Sequence, residues 1–266
     1  MNAIDIGLRA TVVVLMALLA SVALRRRSAA LRHSVLAVGI LSAAAVAPLG
    51  LALPAWDLPA RPPTAEAPVA SLVGGTRPVG TAEASSGKPD WRAEAPASRS
   101  LAPVVNMVWA AGVVVGILTM LVSLRRLSRL TDAARSMTDS RWLTLAQDLS
   151  SSLDVGAVVT LRQTDLLTAL GTWGWRRPHL LLPPGCETWS DERIRIVLGH
   201  ELAHIRRADW PLQMAADVVR AVFWYNPLFW IAGARLRRES EEACDNAVLE
   251  AGVPAADYAS HLLRSE

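Results

Sequence analysis

Cysteine is scarce in this chain, with only Cys186 and Cys244 among 266 residues. Two cysteines cannot supply the disulfide framework on which many small secreted domains depend. The net charge is also small, at +3, and the basic residues are almost all arginines that stand beside apolar runs. Such clusters are typical of the flanks of membrane helices rather than of a nucleic-acid-binding surface. We therefore expect no direct binding to nucleic acid.

Apolar residues, by contrast, are abundant. They make up 52% of the chain, and the mean hydropathy is +0.29, which is high for a soluble protein. Residues 1–53 contain two apolar runs, at about 6–24 and 34–53, and residues 101–124 form a third. These runs predict three transmembrane helices and hence a multi-pass protein whose first partner is the lipid bilayer. A cleaved signal peptide is disfavoured for the first run, because Asp5 precedes it and three arginines follow it.

The arginines predict the orientation in the membrane, because basic residues flank membrane helices mainly on the cytoplasmic side. One cluster follows the first apolar run and another follows the third: Arg25, Arg26, Arg27 and Arg32, then Arg125, Arg126, Arg129 and Arg135. We expect the N-terminus outside and residues 125–266 in the cytoplasm. Residues 54–100, rich in proline and alanine, are predicted to be a flexible outer loop. Within it, residues 85–88 match the S-x-x-K motif of penicillin-recognising enzymes, but the loop lacks the partner motifs.

The sequence HELAH at residues 200–204 is the strongest chemical signal. Residues four apart share one face of a helix, so His200 and His204 can hold one metal ion between them. Glu201 lies beside that face, where a carboxylate can take a proton from the attacking water. Ser190 is a suitable helix N-cap upstream, and apolar residues follow it at helical spacing.

Two histidines leave such a site one ligand short, because a catalytic zinc usually takes three protein ligands. A second helix is predicted over Pro227 to Ala251, and on it Glu241 and Asp245 lie four residues apart on one face. One carboxylate can bind the metal while the other orients a ligating histidine. Cys244 is a competing ligand. Two of the three acidic residues Glu239, Glu241 and Glu242 are expected on a solvated face.

Four stretches together resemble the BlaR/MecR-type membrane metallopeptidases of bacterial antibiotic-resistance operons: GWRRPHLLLP (174–183), HELAHIRRAD (200–209), FWYNPL (223–228) and RESEEACD (238–245). The resemblance implies a mostly α fold. Membrane helices would be joined to a cytoplasmic α+β, zincin-like domain of the gluzincin type with a small β-sheet, over residues 125–266. It also implies that the chain stops short of a further membrane helix and a sensor domain.

The same resemblance implies the roles of the site residues. One Zn²⁺ per chain would be bound by His200, His204 and Glu241, with Glu201 as the catalytic base. Asp245 would support a ligating histidine. For Asp209 two interpretations stay open: it supports a ligand in the same way, or it caps the helix that begins at residue 210.

The remaining segments suggest how a substrate is held. Residues 155–162 and 178–182 are predicted to be strands, and residues 171–175 an edge or turn. Thr172, Trp173 and Gly174 are therefore candidates for binding an extended substrate backbone.

Residues 221–234 are apolar but short and contain Asn226-Pro227. If they crossed the bilayer, His204 and Glu241 would lie on opposite sides, so we predict that they do not cross.

Taken together, the sequence predicts a zinc metalloendopeptidase of the bacterial inner membrane. By resemblance, it cleaves a cytoplasmic protein, either a DNA-binding transcriptional repressor or itself, in response to an envelope signal. A non-catalytic receptor or scaffold with a degenerate protease fold is one alternative, and a quality-control membrane protease is another. A homodimer is left open.

Overall fold

The computed structural model describes residues 3–52, 101–165 and 170–251. These residues form seven α-helices and a small sheet, which confirms the predicted fold class. The helices are α1 (Ala3–Ala23), α2 (Ala29–Ala52), α3 (Ala102–Ala133), α4 (Ser140–Ser152), α5 (Asp191–Arg206), α6 (Asp209–Val222) and α7 (Pro227–Glu250). The strands are β1 (Arg135–Ser136), β2 (Thr160–Gln163), β3 (Gly171–Trp173) and β4 (His179–Leu182). The predicted outer loop at 54–100, with its S-x-x-K match, lies outside the described residues.

Three of the described helices, α1, α2 and α3, are long and apolar enough to cross a membrane. α1 packs closely along α2, and a Cβ at Gly39 would come within 2.2 Å of the Ala17 Cβ. Glycine at this position therefore permits the close helix crossing. On their outer faces these helices expose large apolar side chains such as Met16, Val38 and Met107, as a lipid-facing surface requires.

Two membrane helices differ in extent from the sequence prediction. α2 begins at Ala29 rather than at residue 34, so Arg32 lies within the helix instead of in the preceding loop. Its charge is accepted there because Glu239 and Glu242 neutralise it. α3 continues to Ala133 instead of ending at residue 124. Its arginines face outward, and no glycine or proline follows them to end the helix.

α6 and α7 form a helical hairpin that packs against the apolar helices. The turn between them, Phe223–Asn226, contacts α1 and α3: the Asn226 side chain donates a hydrogen bond to Thr11 Oγ1 (2.8 Å), and the Trp224 indole donates to the Trp109 carbonyl (3.2 Å). With 14 residues, α6 is about 21 Å long, too short for a hydrocarbon core of about 30 Å. The hairpin thus turns back, as the sequence predicts for residues 221–234.

The sheet lies beside α4 and α5, in the order β1-β2-β4-β3. β2 and β4 are parallel, whereas β3 is antiparallel to β4 and forms one edge, with Thr172 opposite Leu180. The strands are shorter than the sequence predicts, because residues 155–159 precede β2 as loop and β3 ends before Gly174, whose φ is +96°. Trp142, Leu180, Ile194, Leu198 and Leu202 form the fully buried centre of this domain.

Candidate metal centre

α5 carries the HELAH motif and is built as the sequence predicts. The Ser190 side chain caps its N-terminus by accepting a hydrogen bond from the Arg193 amide. One face of the helix is anchored in the core through Ile194, Leu198 and Leu202, which are fully buried. The opposite face directs His200 and His204 towards α7. Because the apolar face is fixed against the sheet, the rotation of α5 about its axis is fixed as well.

Three donor atoms converge between α5 and α7. The Nε2 atoms of His200 and His204 lie 3.1 Å apart. Glu241 Oε2 lies 3.4 Å from the first and 3.6 Å from the second. A tetrahedral cation with bonds of about 2.0–2.1 Å separates its ligands by about 3.3 Å. The two imidazoles and the carboxylate therefore fit one metal ion in both donor type and spacing, and Glu241 remains partly open to solvent.

Each histidine is held on its other nitrogen by a carboxylate. His200 Nδ1 lies 3.1 Å from Asp245 Oδ1, one turn further along α7 than Glu241. His204 Nδ1 lies 2.9 Å from Asp209 Oδ2, which also accepts a 2.6 Å hydrogen bond from Ser240 Oγ. Such contacts fix the tautomer and the ring orientation of a ligating histidine.

Asp209 does not cap a helix, which removes one of its two interpretations. It is the first residue of α6, while Ala208 occupies the N-cap position in a left-handed conformation and provides no side-chain cap. Asp209 is instead 3% exposed and faces His204. Two of the three acidic residues Glu239, Glu241 and Glu242 are exposed, as expected. The exception is Glu239, which is 3% exposed because it pairs with Arg32 of α2.

Cys244 lies on the far side of His204 from the proposed ligand atoms. Its Sγ is 3.7 Å from Asp209 Oδ2, and it forms a separate group with Asp209 and His204. Burial raises the pKa of this thiol, which disfavours the thiolate that binds metals. Glu241, rather than Cys244, completes the group that contains both histidines.

The Glu201 side chain contacts β3, the edge strand of the sheet. The Thr172 hydroxyl donates a hydrogen bond to its carboxylate, so β3 and the motif glutamate face each other across the centre. β3 is in turn tied to α3, because the Trp173 indole donates a hydrogen bond to Thr131 Oγ1 (2.7 Å). Thr172, Trp173 and Gly174 line the same cleft of about 320 Å³ as the two histidines and Glu241.

A family model described as BlaR1 peptidase M56 matches residues 1–266, the whole chain. The chain belongs to this peptidase family. It is 29% identical over 143 residues to the regulatory protein BlaR1 of Bacillus licheniformis, which covers 54% of this chain and 24% of that protein. It is also 29% identical over 79 residues to the methicillin resistance mecR1 proteins of Staphylococcus aureus and Staphylococcus epidermidis, covering 29% of this chain and 14% of each. The chain thus aligns with about a quarter or less of these relatives.

Membership of the M56 family implies a metal ion, because the family is one of metallopeptidases. The convergence of two imidazoles and a carboxylate agrees with this implication. The three apolar helices agree with the membrane association that the sequence predicts for a BlaR/MecR-like protein.

Several residues of the centre were not identified from the sequence. Ser240 accompanies Asp209, Thr131 anchors the edge strand, and Arg32 and His33 approach from α2. The sequence did contain a signal for Arg32 and His33, because they stand together at the start of an apolar run. Such polar side chains are costly to bury without partners, so their position indicates that partners come from elsewhere in the chain.

The neighbouring carboxylates raise the pKa of both motif histidines. Burial lowers the pKa of His200, but hydrogen bonds with Asp245 and Glu241 outweigh burial and raise the pKa to about 9. At His204 burial is likewise outweighed, mainly by the hydrogen bond with Asp209, and the pKa is raised to about 12. Hydrogen bonds from the histidines lower the pKa of the Glu241 carboxyl. Burial raises the pKa of Glu201, so this carboxyl takes up a proton more readily than an exposed one.

We predict that metal binding releases protons and weakens as the pH falls. A metal ion binds neutral imidazole, whereas the raised pKa values favour a protonated histidine at pH 7. Binding near pH 7 should therefore release at least one proton per chain. Calorimetric titration with a divalent metal in buffers of different ionisation enthalpy measures this number.

An Asp245→Asn variant is the control for this prediction. It lacks the carboxylate that raises the pKa of His200, so at pH 8 it should release fewer protons than the unmodified protein. Metal binding without proton release in either protein would contradict the assignment of the two histidines as ligands.

Proposed function

We propose that this chain is a membrane-embedded zinc metalloendopeptidase. The observation that carries the proposal is the convergence of the His200, His204 and Glu241 donor atoms within 3.1–3.6 Å, beside the half-buried side chain of Glu201. Two imidazoles and one carboxylate are a usual ligand set of catalytic zinc, which keeps its fourth position for water or substrate. The partial exposure of Glu241 supports an open position on the cleft side.

The metal and the chain supply different parts of the chemistry. Bound zinc would polarise the scissile carbonyl and make the attacking water more acidic. Glu201 would accept the proton of that water and later deliver it to the leaving amine. A pKa raised by burial suits both steps, because the carboxyl must take up and then release the proton. The Thr172 hydroxyl orients the Glu201 carboxylate through its hydrogen bond.

Asp245 and Asp209 would keep the histidines in the orientation that zinc requires. Each contacts an Nδ1 atom, so the corresponding Nε2 is the ring nitrogen that lies at the proposed metal position. The negative charge of these carboxylates also increases the basicity of the imidazoles and so strengthens their bonds to zinc.

We predict that Glu201→Gln abolishes peptide cleavage but retains about one zinc per chain, because glutamine cannot accept the proton. Glu241→Ala should instead lose zinc or bind it much more weakly. Zinc content of the detergent-purified protein is measured by atomic absorption, beside Glu250→Gln as a control on the exposed end of α7. If Glu241→Ala binds zinc as tightly as the unmodified protein, the third ligand lies elsewhere.

The Glu201→Gln variant is also used to identify the protein that is cleaved. New protein N-termini are compared by mass spectrometry in cells that express the unmodified chain or Glu201→Gln. We propose, from the regulatory and resistance names of the relatives, that the new termini lie in a DNA-binding repressor or in this chain. Cuts spread over many unfolded membrane proteins would indicate a quality-control protease instead. Identical termini and an identical phenotype in both strains would indicate a non-catalytic receptor or scaffold.

We further propose that β3 holds the substrate as an added strand. It is the edge of the sheet, it lines the cleft, and Thr172 reaches the proposed base. An extended peptide paired with this edge would pass beside the metal position, as cleavage of a backbone amide requires.

We predict that Gly174→Ala lowers kcat/KM for a quenched fluorescent peptide by about tenfold or more, because small displacements of substrate-positioning groups have large effects on rate. Gly174 has a φ of +96°, and a Cβ there would lie 3.0 Å from the Arg177 carbonyl oxygen, so the end of β3 must shift. Gly185→Ala is the matched control. Its φ of +79° carries a similar strain, but its Cβ would enter open space. Equal activity losses in the two variants would argue against substrate binding by β3.

The orientation proposed for the membrane places the metal centre in the cytoplasm and the N-terminus outside. The arginine-rich connection between α1 and α2 lies beside α7, since Arg32 contacts both the Arg27 carbonyl and Glu239. The basic residues and the metal centre are therefore on the same side, which the positive-inside rule assigns to the cytoplasm.

We predict that a membrane-impermeant maleimide labels Leu101→Cys but not Ser152→Cys in intact spheroplasts. Both residues are exposed, and they lie at the proposed outer end of α3 and in the proposed cytoplasmic domain. The native Cys186 and Cys244 are buried and provide a low background. After lysis both variants should be labelled, and labelling of Ser152→Cys before lysis would reverse the orientation.

A further inference from the structure

The first turns of α2 bring two consecutive buried polar side chains to the metal centre. Arg32 is 7% exposed and His33 is 3% exposed. Burial of such groups in an apolar helix is costly unless they find partners. Both face acidic side chains of α6 and α7, the hairpin that follows the helix of the proposed metal ligands.

Arg32 fixes α2 against α7. Its Nε donates to Glu239 Oε2 (2.6 Å) and its Nη2 donates to Glu242 Oε1 (2.8 Å). Nη1 donates to the Arg27 carbonyl at 2.6 Å and so also holds the start of α2. A planar guanidinium with three partners permits little movement of the helix that carries it. Arg32 therefore fixes which face of α2 lies against the α6–α7 hairpin.

His33 faces the carboxylate that supports a metal ligand. Its Nε2 lies 3.4 Å from Asp209 Oδ1, and both groups are about 4% exposed. Neither atom has a hydrogen-bond partner among the described residues, so each is the polar group available to the other. The second oxygen of Asp209 accepts from Ser240 and contacts His204 Nδ1. The carboxylate is thus held between α2 on one side and the metal ligand on the other.

We propose that His33 is a positioning residue of the metal centre, which acts on His204 through Asp209. Arg32 sets the position of α2 from which His33 makes this contact. The inference rests on the proposed function, because it assumes that His204 binds a metal ion. If His33 acts in this way, the orientation of His204 depends on the position of α2 in the membrane. A displacement of α2 would move His33 relative to Asp209.

A purely structural role of His33 predicts a different outcome. His33 would then matter only for the packing of α2, and any comparable loss of packing should act in the same way. Leu36, one turn further along α2, provides this comparison. It is fully buried in the apolar core shared by α1, α2, α6 and α7, so Leu36→Ala weakens the packing of the same helix without removing a polar group.

The test is titration of the full-length, detergent-purified protein with Co²⁺, whose visible absorption reports the number and geometry of its ligands. His33→Leu should raise the dissociation constant about tenfold, at the lower end of the range for groups that support a ligand, and should alter the absorption spectrum. His33→Gln, whose amide can donate to Asp209, should restore most of both. Leu36→Ala should lower the melting temperature but leave the spectrum and the dissociation constant unchanged.

The outcomes separate this inference from the proposed function. A normal cobalt spectrum in the unmodified protein that stays unchanged in His33→Leu overturns the inference alone. Equal effects of His33→Leu and Leu36→Ala, or no recovery in His33→Gln, also overturn it. If no cobalt absorption develops in the unmodified protein, the proposed function is overturned and the inference with it. Should His33→Leu fail to fold, His33→Met replaces it as an apolar side chain that adapts to irregular space.

Discussion

The candidate metal centre depends on one constraint: His204 and Glu241 must meet on the same side of the membrane although the apolar segment 221–234 separates them. The α6–α7 hairpin meets this constraint by turning back at Phe223–Asn226. Its backbone polar groups are satisfied by helical hydrogen bonds on both arms, and the turn finds side-chain partners on α1 and α3. The convergence of ligands from α5 and α7 follows from that turn, as does the contact of α6 and α7 with the membrane helices.

A buried polar network surrounds the centre and connects it to those helices. Asp209 contacts His204, Ser240 and His33, while Arg32 neutralises Glu239. On the opposite side of the cleft, Thr131 of α3 holds the edge strand through Trp173. Buried charges cost free energy unless they are paired, and here two such pairs, Arg32–Glu239 and His33–Asp209, join α2 to α7 and α6. The proposed metal ligands and the proposed substrate strand are therefore not supported by the small domain alone.

Much of the site was predictable because its pattern is local. The capped α5, the shared face of His200 and His204, and the start of α7 at Pro227 all agree with the sequence analysis. The ends of α2 and α3 were less predictable. An arginine is normally taken to mark the end of an apolar helix, but Arg32 lies within α2 because its partners come from α7, about two hundred residues further along the chain. A rule based on neighbouring residues contains no information about such a partner.

The sequence by itself determined that the two histidines share a face, because the pitch of a helix places every fourth residue on one side. It also determined that three helices among the described residues are apolar enough to span a membrane. Only the tertiary structure decided what the two glutamates near Glu241 do. Glu239 pairs with Arg32 in the interior, and Glu242 reaches the same arginine from the surface. Nothing in the order of the chain distinguishes Glu239 from Glu242, because their roles depend on how α7 is rotated against α2 and α5, and packing sets that rotation.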